Sequence, residues 1–426
     1  MRLQIALFLV AIFPLAAADE QQLALTIRAQ SDFDRVEAST APQIQDTARC
    51  IQSQAALLAV AAKPETALVH FRKGYCTLAE ATITGNARDY SEAAGEFDRA
   101  IEAWPDRTVR NGKNPIPDPV SSGLRVLDLI AKLKAQPEAA RPESTRQDLS
   151  AAIDPPVCAA NLMPINLCEG LIQTGRQWLG WMALRRDDLY EAGKDFAGLP
   201  ANPWERWIAG RRAFEDRNYK EAAARYREAV DLWKSAAHDQ MAPLPARLSP
   251  QPDMAQIFAD FGGAQLLSSD PAAAIASLDA SIKADPNRAH SIYLRARARE
   301  LLGQTEQALA DYSLASRTAF ANAADLASGE AHLYRGVLMY RRKDYVHAED
   351  EFSSALNFEI AAALRPDAAA WRHMAAVANG ACAASRTLLE ESLAHVSPYF
   401  PKDEARKVAA NCPWNSSQPL TGSVVR

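Results

Sequence analysis

The sequence predicts an all-α protein, a stack of antiparallel helix pairs in which each pair buries its apolar face against its neighbours. Three observations predict it. The run Ser291 to Ala315 (SIYLRARARELLGQTEQALADYSLA) is answered by His332 to Leu356 (HLYRGVLMYRRKDYVHAEDEFSSAL), so one two-helix pattern occurs twice. The small and aromatic landmarks keep their order and spacing: Ala296, Ala308, Tyr312 and Ala315 in one copy, Gly336, Ala348, Phe352 and Ala355 in the other. Charges also change sign where one helix should give way to the next. Arg185-Arg186 precede Asp187-Asp188, and Arg341-Arg342-Lys343 precede Asp344, which suits the partial charges at helix ends.

The same landmarks extend beyond the two copies. Gly180, Ala192 and Phe196 mark one unit, Gly210, Ala222, Tyr226 and Ala229 the next, and Gly262, Ala274, Leu278 and Ser281 a third. This pattern resembles the tetratricopeptide repeat, in which small residues let paired helices approach and an aromatic fills the space beside them. The resemblance implies an α-solenoid with a right-handed superhelical course and a concave groove lined by the first helix of each pair. Successive key alanines, Ala192, Ala222, Ala274, Ala308 and Ala348, lie 30, 52, 34 and 40 residues apart, so turns of varying length separate the units.

Taken in order, residues 1–18 place one arginine before a short apolar run that ends in small residues, the pattern of a cleavable signal peptide. Residues 19–105 read as an N-terminal helical module whose end, DYSEAAGEFDRAIEAWP, supplies Ala93, Phe97, Ala100 and Pro105 as one divergent repeat. In its first helix Gly74 falls about two turns too early and only Ala81 keeps register. Residues 106–166 are broken by proline, glycine and asparagine and read as a linker with a short helix. The main stack is expected at 167–366, capping helices at 367–412 and a loose polar tail at 413–426.

The chain has 426 residues with 47 basic and 52 acidic side chains, a net charge of −5 that gives no general attraction for phosphate backbones. Nucleic acid is therefore not expected as a partner, and no later segment is apolar for long enough to span a membrane. Export exposes the six cysteines to oxidation. Cys50 and Cys76 each lie thirteen residues from Lys63, and Cys382 and Cys412 each lie fifteen from Ser397, so a hairpin would bring each pair together. Cys158 and Cys168 flank a short proline loop and form the third candidate pair; scattered buried thiols are the alternative.

No HExxH, GxSxG, phosphate-binding GxxxxGK or GxGxxG occurs, and the seven histidines lack metal-ligand spacing. His332 and His347 come closest to being neighbours. The expectation is a protein that is not an enzyme and uses neither cofactor nor metal. The resemblance instead implies a peptide-binding groove at Trp181, Arg185, Trp204, Trp207, Arg211, Phe214, Tyr293, Arg297, Tyr340 and Arg341, with Leu266, His290 and Leu333 beside them. Rings offer contact area at low entropic cost and guanidinium groups pair with carboxylates, which suits a protein or peptide partner. Packing between repeats is the alternative role for the tryptophans. The resulting reading is an exported scaffold or adaptor, periplasmic or secreted, with self-association as a variant. The rival is a secreted hydrolase or glycan-processing enzyme, which requires a convergent acid pair around residues 106–164.

Overall fold

The computed structural model describes residues 20–412, apart from 40, 61–62, 104–108, 112–113, 117–119, 137–142, 155–164, 200–202, 238–243, 322–326 and 359. The expected signal peptide, the tail 413–426 and Cys158 lie outside the described residues. The described chain is helical almost throughout, as the repeat predicts. One departure is a two-stranded antiparallel ribbon, β1 (Val109–Asn111) against β2 (Asn114–Ile116), within the stretch expected to be linker.

Contacts divide the chain into two compact units, one of residues 1–202 with 233–251, the other of residues 203–232 with 252–426. The first unit holds α1 (Glu20–Glu37), α2 (Ile44–Leu58), α3 (Lys63–Thr84), α4 (Ala87–Ala103), α5 (Val120–Ala135), α6 (Glu143–Ile153), α7 (Ile165–Leu184) and α8 (Leu189–Phe196). The expected linker contributes to this core. Leu124, Leu127 and Ile130 of α5 and Leu149 of α6 are fully buried in one cluster with Phe97 of α4 and Leu171 of α7. Prolines interrupt this stretch, but the apolar spacing between them is enough to fix α5 on α4. The short α11 (Leu244–Leu248) also joins this unit, where the Trp178 indole N–H donates to the Leu248 carbonyl at 2.9 Å.

The second unit is built from α9 (Pro203–Glu215) with the first part of α10 (Tyr219–Ala237), then α12 (Met254–Leu267) with α13 (Pro271–Ala284), α14 (Ala289–Leu301) with α15 (Thr305–Ala321), and α16 (Ala327–Arg341) with α17 (Tyr345–Asn357). After them come α18 (Arg365–Ala378), α19 (Cys382–Ser392) and α20 (Lys402–Ala410), which cover Phe352 through Trp371 and Phe400.

Four hairpins are made the same way, with the small-against-large packing that the resemblance to the tetratricopeptide repeat implies. A Cβ built on Gly180 would stand 2.5 Å from the Phe196 ring; on Gly210, 2.6 Å from Tyr226; on Gly262, 2.6 Å from Leu278; on Gly336, 2.7 Å from Phe352. Glycine is there because the second helix lies too close for anything larger. Each such pair is symmetric about the residue that opens the second helix. Asp188, Asp270 and Asp344 are those residues, and their carboxylates accept from the backbone N–H of Glu191, Ala273 and His347. Asn218 does the same for Glu221 at 3.4 Å. Charge placement read from the sequence thus marks true helix starts, with the cap satisfying an otherwise orphaned donor. The residue just before each cap is left-handed: Asp187, Arg217, Ser269 and Lys343 have φ near 60–70°, as do Gly85 and Gly303. A backbone bond that closes the preceding helix follows, for example from Asp344 N–H to the Met339 carbonyl at 3.0 Å.

The first hairpin corrects one expectation. Gly74, read as out of register, is the residue beneath Phe97, with a built Cβ 2.8 Å from the ring. Its turn is at Gly85-Asn86, so each arm is longer than in the other hairpins by about one turn, 3.6 residues, and the same faces still meet.

Candidate concave site

Six sequence-derived groove positions converge on one cavity of about 610 Å³ in the second unit. Arg211 and Phe214 come from α9, Leu266 from α12, and His290, Tyr293 and Arg297 from α14. All lie on the first helices of consecutive pairs, as the groove register implies. Tyr334 on α16 and the exposed Leu267 and Leu301 complete its apolar wall. Sequence reasoning missed Tyr334, although it lies two residues before Gly336 and so beside the register used elsewhere.

Charge in this cavity is arranged by neighbours. The Arg297 guanidinium lies 4.0 Å from the centroid of the Tyr334 ring and donates to Glu300 at 2.6 Å. Burial opposes its charge, but Glu300 and the surrounding tyrosine hydroxyls hold its pKa above the ordinary range. Glu300 also accepts from the Tyr312 hydroxyl at 2.8 Å and from Arg341 at 3.1 Å. On the opposite wall, Asp260 accepts from the Trp207 indole at 2.9 Å and from the Gln256 amide at 2.6 Å. Burial raises the pKa of Asp260, and those two hydrogen bonds work against the rise. Arg211 stacks over Trp207 with its guanidinium carbon 5.7 Å from the ring. The cavity thus joins aromatic and aliphatic surface to the guanidinium groups of Arg211 and Arg297 and the carboxylates of Glu215 and Asp260, a lining that accepts apolar side chains beside polar or charged groups.

The remaining groove positions are elsewhere. Trp204 and Trp207 are buried, edge to face, and Trp207 acts through its bond to Asp260 rather than as cavity wall. Tyr340 is buried against Tyr345 and Trp371, and Leu333 is buried in the same cluster. Arg341 is exposed and paired to Glu300. Trp181, half-buried, and the exposed Arg185 stacked over it belong to the first unit, apart from this cavity.

A second recurrent feature escaped sequence reading. A cation just before the small landmark pairs with an acid just before the aromatic one: Lys73 with Glu96 at 2.7 Å, Arg295 with Asp311 at 2.8 Å, Arg335 with Glu351 at 2.8 Å. His70 and His332, each four residues before the glycine, join Glu96 and Glu351 at 2.7 and 2.8 Å. The Glu351 side chain is largely buried by these partners. His332 stacks on Phe358 and His347 bonds Asp344, so the two histidines serve different partners. Among the described residues no group of three or more His, Cys, Asp or Glu is placed to hold a metal.

Near the expected linker, two acids do converge, Asp98 and Asp128. Lys132 Nζ occupies the space between them, at 2.9 and 2.7 Å. Burial pushes Asp128 up to about 6 against the pull of Lys132. The triad ties α4 to α5.

Two disulfides join the residues that the spacing pairs: Cys50 with Cys76 across α2 and α3, and Cys382 with Cys412 across α19 and α20.

A family model described as Bacterial transcriptional activator domain matches residues 205–319, from α9 into α15 and well under half of the chain. A search of curated proteins returns no match. Among solved structures, PilW, a widely conserved type IV pilus biogenesis factor, is 17% identical over 56% of this chain and 98% of its own, with a TM-score of 0.38. Yeast Tom70 is 11% identical over 92% of this chain and 96% of its own, with a TM-score of 0.36. The TPR2AB domain of yeast Sti1, solved with pHSP90, is 13% identical over 76% and 100%, with a TM-score of 0.25. At these scores the assignment of the helix pairs rests on the packing of this chain's own glycines and aromatics.

Proposed function

We propose that this chain is an exported interaction scaffold that holds a peptide segment of another protein in the cavity of its second unit. The carrying observation is the convergence of Arg211, Phe214, Leu266, Tyr293 and Arg297, from three successive helix pairs, on one cavity of about 610 Å³. A pocket of that size holds a few side chains rather than a folded domain. Its rings and leucines take apolar side chains, and Arg211 and Arg297 select a neighbouring acidic group.

Panning the full chain against a random peptide library tests the site. Peptides with apolar residues next to Asp or Glu are expected to be enriched, and the combined change Arg211→Ala and Phe214→Ala is expected to abolish the enrichment. Unchanged enrichment in that variant removes the cavity from the function.

Export is supported by the two disulfides, which persist in oxidising compartments, and by the leader-like residues 1–18. A reporter that is active only outside the cytoplasm, fused behind α1, is expected to be active. An inactive fusion places the protein in the cytoplasm and leaves the disulfides unexplained.

A further inference from the structure

We propose that Gly263 sets the specificity of the concave cavity by leaving a notch that admits one aromatic side chain of the bound peptide. This rests on the peptide-binding reading above and adds to it the class of residue that anchors the peptide.

The other buried helix glycines among the described residues each have a packing reason. A Cβ built on Gly74, Gly175, Gly180, Gly210, Gly262 or Gly336 would stand 2.5 to 3.0 Å from a neighbouring side chain. Gly263 has no such reason. It is buried inside α12, yet a Cβ there meets only Leu294 Cδ1, at an ordinary 3.6 Å, and its backbone is plain helix that any residue adopts. Glycine in a helix interior weakens the helix relative to alanine, and here no neighbour in the chain requires it. A buried position whose side chain would meet so little borders a void. That void is the cavity of about 610 Å³, and Gly263 forms part of its wall.

The order of the helices makes the void a notch. In the series of first helices α12 lies between α9 and α14, and it lines the cavity with Ala259 and Gly263, about one turn apart. The helices on either side bring larger groups, Arg211 and Phe214 from α9, Tyr293 and Arg297 from α14. The floor is therefore set back between rings and guanidinium planes, a shape that suits a planar side chain. Its electrostatics suit one as well. Ring faces are negative and attract guanidinium groups. Arg211 and Arg297 each already lie over a ring, 5.7 Å from Trp207 and 4.0 Å from Tyr334. Ring edges are positive and suit the faces of Phe214 and Tyr293. The nearby carboxylates have other roles: Asp260 accepts from Trp207 and Gln256, Glu300 pairs with Arg297, and Glu215 is exposed. A branched aliphatic side chain would gain burial in the notch but neither of the ring contacts.

Panning a random peptide library over the full native chain, and over its Gly263→Ala and Gly263→Leu variants, tests the notch. The native chain is expected to enrich Phe, Tyr or Trp at one peptide position by about tenfold over the library. Gly263→Leu fills the notch and is expected to shift that position to smaller residues, with ring enrichment about tenfold lower. Gly263→Ala is expected to raise the melting temperature, because alanine favours helix, and to lower ring enrichment about threefold. Far-ultraviolet circular dichroism and thermal melts check that both variants fold; if Gly263→Leu does not, Gly263→Ala decides. Three results overturn the inference and leave the peptide site standing: Leu, Ile or Val enriched by the native chain as strongly as rings, ring enrichment unchanged in a folded variant, or a melting temperature lowered by Gly263→Ala. Failure of the native chain to enrich any peptide overturns the peptide reading and the notch together.

Discussion

Gly210 lies beneath Tyr226 so closely that a single added carbon would stand 2.6 Å from the ring. Because Tyr226 is only 1% exposed, the ring has little room to retreat. Gly210→Ala should therefore destabilise the second unit by about 1–3 kcal/mol, even though alanine favours helix over glycine by about 1 kcal/mol. Gly95 on α4 is the control, because a Cβ there meets nothing nearer than Arg99 at 3.9 Å. Gly95→Ala should stabilise by about 0.5–1 kcal/mol. Urea midpoints of the two variants should move in opposite directions.

Lys343 holds a left-handed backbone, φ 63°, at a turn where Gly303 takes the same conformation in the neighbouring hairpin. Replacing Lys343 with glycine should stabilise the chain by about 0.5–1 kcal/mol, and Gly303→Ala should destabilise it by about 1 kcal/mol. Thermal melts separate the two, and a melting point raised by Gly303→Ala would contradict the assigned turn.

Glu96 gives the first unit an acid-sensitive joint. Burial alone would raise its pKa, but hydrogen bonds from Arg99, Lys73 and His70 hold it at about 2, below its ordinary value of 4.5. A carboxyl depressed on folding contributes stability that is complete above pH 4.5 and is lost as pH falls towards 2. Glu96→Gln should lower stability at pH 7 and flatten its decline between pH 5 and pH 3, read from urea unfolding at each pH. An equally steep decline in the variant would show that other carboxylates govern that limb.

Cys50–Cys76 closes a separation of 26 residues and Cys382–Cys412 one of 30. Chain entropy assigns each about 3.5 kcal/mol. Reduction should speed hydrogen exchange first in α2 and α3 and in α19 and α20, with the central hairpins retaining more protection. Mass spectrometry without reductant should find all four of these cysteines bonded, and free thiol at Cys50 would remove the first bridge.

The hairpins were legible because their signal is steric. A glycine sixteen residues before an aromatic, with a cap residue midway, leaves a mark that one sequence reveals. Gly74 was misread because spacing along the chain was taken as the invariant, whereas distance from the turn decides which residues face each other. The six residues that meet in the cavity were legible through the same register, since first-helix positions repeat with it. Trp204, Trp207 and Tyr340 fit that register equally well but are covered by neighbours; burial depends on the side chains of the next pair, which the register does not encode. The Lys73–Glu96 pair and its two counterparts were hidden because an isolated Lys-Gly or Glu-Phe has no meaning until the helices are juxtaposed. Cys50 and Cys382 found their partners because symmetry about a turn is itself a distance.

The symmetry of each glycine–aromatic contact about its cap frees hairpin height from hairpin width. Gly74 and Phe97 show a taller hairpin joined at the same gap as the rest, reached by one extra coil in either leg. Growth in matched coils leaves the join intact and raises only the rim, so the depth of such a protein can be retuned without redesigning how its pieces clasp.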